Sequence, residues 1–114
     1  MTVTEIVRAL SLKVLSGEND LGRSVTGGYA SDLLSLVMAG AKAGNVWVTM
    51  QGHPNVAAVA SLLGLSAVIV TESLPVDELT IQRAQENNII LLSTPHDTFT
   101  TISMLAGLGV TGTR

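Results

Sequence analysis

The chain has 114 residues, of which 46% are hydrophobic and 13% charged, with a formal net charge of −3. That length suits one domain, since domains commonly run to ~100–150 residues, and it leaves no room for a second functional unit. Six Lys and Arg, scattered singly, form no basic stripe for phosphates, so nucleic-acid binding is not expected. The absence of cysteine removes disulfides, thiolate catalysis and zinc-thiolate sites together, and it fits a reducing compartment, with the cytoplasm as the default.

In chain order, Thr2 and Glu5 have capping-box spacing ahead of Ile6, Val7 and Leu10, which predicts a first helix. Its charges, Glu5 and Arg8, leave no apolar run of signal-peptide length, so export is not expected. Leu12–Leu15 reads as a first strand, and Ser24–Thr26 as a brief extended piece. Ser31–Ala41 carries Leu33, Leu34, Leu36, Val37 and Met38 and predicts a helix covered on most sides, after which Ala43-Gly44-Asn45 turns the chain.

Then comes a repeat. Val46-Trp47-Val48-Thr49, Val68-Ile69-Val70-Thr71 and Ile90-Leu91-Leu92-Ser93 recur every 22 residues, each with three apolar residues followed by a hydroxyl. Short apolar runs rich in β-branched residues suit strands buried on both faces, as in parallel sheets covered by helices. Between them, Asn55–Leu63 presents Val56, Val59, Ala60 and Leu63 at helical spacing and stops at Gly64. A second crossover helix is expected over roughly Val76–Asn87, with Asp77 and Glu78 in its first turn. The 18 uncharged residues Pro54–Thr71 approach a membrane span in length, but Pro54, Asn55 and Gly64 and the change in texture to Ala67-Val68-Ile69-Val70 read as helix, turn and strand. Thr94, Pro95 and Asp97 start a last helix, and Gly107–Arg114 reads as a frayed tail. The expected architecture is therefore α/β: a single three-layer domain with a mainly parallel sheet of four to five strands and helices on both faces.

Ligands of open parallel sheets bind at the carboxyl ends of the strands, where helix N-termini and loop amides converge. That rule selects Thr26-Gly27-Gly28-Tyr29, Gln51-Gly52-His53-Pro54-Asn55, Thr71-Glu72-Ser73 and Ser93-Thr94-Pro95-His96-Asp97. Each has two readings. Thr26-Gly27-Gly28 is an anion-cradling nest or a tight turn needing positive φ. His53 and His96 form a ligand or acid/base pair, or each caps a helix. Asp32, just inside its predicted helix, serves the dipole or binds a ligand. Trp47, Met38, Met50 and Met104 are expected to be packing or interface residues rather than cofactor contacts. A metal site would need Glu72 as third ligand beside the histidines, and the spacing matches no metal pattern. No metal or cofactor is expected. No lysine follows a glycine loop, because Lys13 follows Leu12 and Lys42 follows Ala41, and there is no nucleophile elbow or dinucleotide fingerprint. No catalytic residue is nominated.

Leu21-Gly22-Arg23-Ser24-Val25-Thr26-Gly27-Gly28-Tyr29 with Ser31-Asp32-Leu33-Leu34-Ser35, Gly44–Thr49, Gln51–Val56 and Leu91–Pro95 together resemble the DRTGG domain family over about Val3–Gly109. Gly22 stands where the family name has Asp, and Ser24-Val25 lie between Arg23 and Thr26. The resemblance implies a fold similar to the N-terminal, non-kinase domain of HPr kinase/phosphorylase. It also implies modules that stand alone or beside CBS domains and act in regulation and dimerisation. The expectation is a non-enzymatic regulatory module, 1–114, forming a homodimer or transmitting a signal to a protein partner. The alternative is a sensor binding a nucleotide or other anionic small molecule through Arg23, Thr26, Gly27, Gly28, Tyr29, Asp32, His53, Asn55, Thr71, Glu72, Ser93, Thr94 and His96. A weaker alternative is a metal-dependent hydrolase using His53, His96 and Glu72.

Overall fold

The computed structural model describes residues 1–113. Helix α1 (Val3–Leu10) opens on the capping box that Thr2 and Glu5 predict, each satisfying a backbone N–H of the other's end of the turn. It is followed by β1 (Lys13–Ser16), β2 (Gly27–Ala30), α2 (Leu34–Gly40), β3 (Asn45–Thr49), α3 (Asn55–Leu63), β4 (Ala67–Val70), α4 (Glu78–Glu86), β5 (Leu91–Ser93) and α5 (Thr98–Gly107). The sheet has the order β1-β5-β4-β3-β2. Strands β2 to β5 are parallel, in registers such as Gly27 with Asn45, Val48 with Ile69 and Ile69 with Leu92, and β1 runs antiparallel to β5.

Period-two alternation divides the core between the two faces. Trp47, Val68, Val70 and Leu91 meet Val37 of α2, Val56 and Ala60 of α3 and Ala84 of α4. Val46, Val48, Ile69, Ile90 and Leu92 meet Val3, Ile6 and Leu10 of α1 and Leu105 of α5. This is the three-layer α/β architecture that the repeat predicts, and every residue of β3 and β4 is buried. Each fully buried aliphatic side chain contributes roughly 1.5–3 kcal/mol of transfer free energy, so these strands carry the fold. Gly64 ends α3 in the left-handed conformation at φ 68°, as its place after Leu63 predicts. Pro54–Thr71 divides into α3, a turn and β4, and no helix among the described residues is long and apolar enough to cross a membrane.

Four expectations give way, the first being that α2 is covered on most sides, since Leu36 and Met38 are each 49% exposed. Gly27-Gly28 is neither a turn nor a nest: both residues begin β2, and the Ser24–Thr26 piece upstream contributes only an isolated bridge from Ser24 to Thr2. The tail is seated and does not fray over residues 110–113, because Gly28 N–H donates to Thr111 O at 2.9 Å and Asn45 Nδ2 donates to Thr113 Oγ1 at 3.1 Å. Helices α2 and α4 start later than predicted, at Leu34 and Glu78, which leaves Asp32 outside its helix and places Asp77 at the N-cap.

The crossovers β2-α2-β3, β3-α3-β4 and β4-α4-β5 all step in one direction and put their helices on one face, as right-handed connections require. Helix α5 then leaves β5 for the opposite face. The carboxyl ends of the adjacent strands β4 and β5 thus send their chains to opposite sides, which is the topological position of the ligand crevice in open α/β sheets.

Candidate functional site

At the crevice position lie Thr71-Glu72-Ser73 after β4 and Thr94–Thr98 after β5, bonded to one another across it. Glu72 and Ser73 both hold positive φ, 68° and 54°, and Leu74 N–H returns to Thr71 O at 3.2 Å, which makes a tight turn of the mirror type. The turn is pinned across to the other strand: Glu72 N–H donates to His96 O at 2.9 Å and Ser73 N–H to Thr94 O at 3.1 Å. The Glu72 carboxylate accepts from Thr98 N–H at 2.9 Å, at the first turn of α5, and the Thr71 and Thr98 hydroxyls share a hydrogen bond of 2.8 Å. Beside them Asp97 caps α5 by accepting from Thr100 N–H at 2.6 Å. That backbone bond, followed by the Thr100 side chain and the charge of His96, holds the Asp97 carboxyl below the ordinary carboxylate value.

At the neighbouring strand ends the polar groups are likewise spent on one another. Asp32 Oδ1 accepts from Thr49 Oγ1 at 2.9 Å and from Met50 N–H at 2.7 Å, and the Asp32 carbonyl accepts from the Gln51 amide. Ser31 O accepts from the buried indole of Trp47 at 2.9 Å. His53 is exposed, and its Nδ1 accepts from Asn55 N–H at 3.1 Å, just ahead of Pro54, the N-cap of α3. A side chain at Gly52 would run into Pro75 O and come within 2.8 Å of Val76 Cα, so glycine is what lets this loop lie against the next one.

The strand-end rule thus gathers Asp32, His53, Asn55, Thr71, Glu72, Ser93, Thr94 and His96 at one rim. It fails for Arg23, Thr26, Gly27 and Gly28. Because β2 runs parallel to β3, Gly27 pairs with Asn45, the first residue of β3, whereas His53 follows the last. Thr26 Oγ1 donates to Ala43 O at 2.9 Å, and Arg23 donates to Asn88 O at 3.0 Å near the end of α4, so both serve the amino end of the sheet. Tyr29, in mid-strand, packs its ring where a Cβ on Gly40 would otherwise stand. A single pocket joining Gly27, His53 and Thr94 does not form.

Sequence reasoning selected Gln51 only within its strand-end segment and passed over Thr98 and Asn45, whose signals were present: a hydroxyl after a capping Asp, and an Asn opening a strand. Among the described residues, no group of three His, Cys, Asp or Glu is placed to hold a metal ion, and no buried side-chain nitrogen or oxygen lacks a partner. An apolar cleft of about 120 Å³ lies at the β2 edge, between Ala30, Val48, Ile102 and Val110. Open grooves of about 210 and 310 Å³ lie at the amino end, beside Asn88, and none of the three is lined by His53, Glu72 or His96.

With the fold and rim described, comparison with known proteins decides the family. The family model described as the DRTGG domain matches residues 5–108. This chain belongs to the DRTGG domain family. DRTGG domains are regulatory modules. The fold of this DRTGG domain is shared with the CBS and DRTGG domains of the regulatory region of Clostridium perfringens pyrophosphatase, a structure complexed with the activator diadenosine tetraphosphate. The TM-score is 0.76 at 21% identity, over 91% of this chain and 45% of that one, so the chain spans less than half of that regulatory region. No curated protein matches this DRTGG domain.

Proposed function

We propose that this DRTGG domain is an intracellular regulatory module without catalysis of its own, which pairs with a second copy and carries a signal between the crevice at the β4 and β5 ends and that interface. One observation carries the reading. Helix α5 starts at the crevice, contains no charged residue, and displays Phe99 82% exposed, with Ile102 one turn on. An aromatic ring in water on an uncharged helix marks a surface that a partner covers. The rim supports association over ligand capture, because the Asp32 and Glu72 carboxylates and the Thr49, Thr71 and Thr98 hydroxyls already have partners. Light scattering at micromolar concentration tests the pairing. A dimer that becomes monomeric on Phe99→Glu is expected, and a monomer at all concentrations refutes it.

A second reading is favoured by the strand-end position of these residues: a nucleotide or other anionic metabolite held by Thr71, Glu72, Ser93, Thr94 and His96, with Asp32, His53 and Asn55 alongside. The fold neighbour's complex with diadenosine tetraphosphate suggests the first ligand to try. Binding to the folded state at 100 times the dissociation constant adds ~2.7 kcal/mol of stability, which a thermal-shift screen detects. A flat response to diadenosine tetraphosphate, ATP and simple metabolic acids leaves the interaction module alone.

A further inference from the structure

Helix α5 turns toward water a stripe in which large and small side chains are placed symmetrically. From Thr98 to Gly107 it holds no charged residue, and Phe99, Ile102, Ser103 and Ala106 are exposed. At 3.6 residues per turn these four fall within about 100° of arc. Phe99 and Ala106 run along the middle, Ile102 lies on one flank and Ser103 on the other. Phe99 projects, 82% exposed, while Ala106 lies low at the rim of a recess. That recess is the apolar cleft of about 120 Å³: Ile102, Leu105 and Ala106 form its α5 wall, Ala30 and Val48 the sheet side, and Val110 a further side. An engineered apolar cavity of ~150 Å³ holds benzene, so the recess suits one aromatic ring. A projecting ring and a recess of its size thus belong to one helix, and Val110 keeps its place as a wall.

A two-fold interface needs a patch complementary to itself, in which one residue meets a second and that second meets the first. An axis crossing α5 between Ile102 and Ser103 satisfies this, because Phe99 and Ala106 stand equally far from it on either side. We propose, resting on the reading that two copies pair, that α5 packs antiparallel against α5 of the second copy about this axis, with Phe99 of each copy entering the cleft of the other over Ala106. Ile102 then meets Ile102 of the other copy on the cleft flank, and Ser103 meets Ser103 on the opposite flank. Placing a large side chain on a small one at both ends of the seam lets the helices close without voids. A foreign partner would require no such symmetry of the stripe, and α5 offers no charge to recognise one. An aromatic side chain buries ~150–250 Å², so the two rings supply about a fifth or more of the ~1,200 Å² at which specific interfaces begin. The seam is one helix of 10 residues long, which makes the pairing reversible and concentration-dependent.

The test uses the full chain, whose lack of cysteine makes a single introduced thiol a clean reporter. Ser103→Cys puts two sulfurs beside the axis, within reach of the Cα spacing a disulfide requires, and mild oxidation is expected to give a covalent dimer. Ser61→Cys, exposed on α3, is the control and is expected to stay uncrosslinked. Ala106→Phe fills the cleft from its own helix, and is expected to weaken the dimer about tenfold or more by light scattering across a concentration series. Both Ser103 and Ala106 are exposed, so the variants are expected to unfold with the wild-type transition of Trp47 fluorescence. A dimer that Ala106→Phe leaves unweakened, or in which Ser103→Cys cross-links no faster than Ser61→Cys, overturns this arrangement while self-pairing stands. A wild-type chain that is monomeric at every concentration overturns the pairing itself and this arrangement with it.

Discussion

Replacing Asp32 by alanine separates a rim built to hold itself together from a rim built to hold a ligand. The Asp32 carboxylate accepts from the Thr49 hydroxyl and from Met50 N–H, and Thr49 is buried. A hydrogen bond to a charged acceptor contributes ~1.5–3 kcal/mol when buried, and Asp32 is half-buried, so about 1 kcal/mol for each bond is the appropriate scale. Asp32→Ala is therefore expected to cost about 2 kcal/mol, which for a domain of this size lowers Tm by roughly 8 °C. Asp32→Asn keeps an oxygen in place and is expected to cost less than about 1 kcal/mol. The assay is thermal unfolding followed by the fluorescence of Trp47, the single, fully buried indole. Unchanged or raised stability in Asp32→Ala would falsify the self-holding rim, because groups reserved for a ligand commonly stabilise the free protein when removed.

Three further outcomes follow from the same structure. Trp47→Phe empties buried volume and leaves Ser31 O without its indole donor, so a loss of about 2–3 kcal/mol is expected in denaturant unfolding followed by circular dichroism. Ser73 sits at φ 54° with an exposed side chain: Ser73→Gly is expected to be neutral or stabilising by up to about 0.5 kcal/mol, and Ser73→Val to cost more than about 1 kcal/mol, since the left-handed region penalises β-branching most. The Asp97 carboxyl is depressed in the folded state from the ordinary value of 3.8, so its contribution is fully present above that pH and drains away as pH falls through the lower folded value. The acid limb of the stability curve should flatten in Asp97→Asn, and an identical limb in both proteins refutes the assignment.

The legible part of this fold was the part buried on both sides. β3 and β4 read directly because each of their residues is covered, so hydrophobic runs announce them without help from the rest of the chain. Caps were legible for a similar reason, being settled within four residues, as Thr2 with Glu5 shows. β2 was not. Gly-Gly-Tyr-Ala has the local marks of a turn, and what makes it a strand is a partner at Val46 on one side and the returning segment at Gly112 on the other. The grouping of site residues failed at the same place: once Gly27 starts a strand, parallel pairing carries it to the end of the sheet opposite His53. His53 itself was visible as a choice between cap and ligand; its ring accepts from the Asn55 backbone N–H, while the N-cap of α3 is Pro54.

Helix α5 joins the features that matter for regulation, and this can be tested at a distance. Its first turn receives the Glu72 carboxylate and the Thr71 hydroxyl, its exposed side carries Phe99 and Ile102, and its last residues lead into the segment seated on Gly28. A ligand that took Glu72 away from Thr98 N–H would act on the start of α5, and a packed helix responds as a rigid body because close-packed interiors transmit displacement. Glu72→Ala imitates that displacement at a local cost of about 0.5 kcal/mol, the usual worth of a carboxylate at a helix N-terminus. The Gly28 amide lies at the far end of the helix's course and makes no contact with Glu72, so its resonance should move in Glu72→Ala and stay in place in Glu78→Ala, a control at the start of α4. A resonance that stays put in both would mean that the crevice and the β2 edge are energetically separate, and that a signal received at one is not read out at the other.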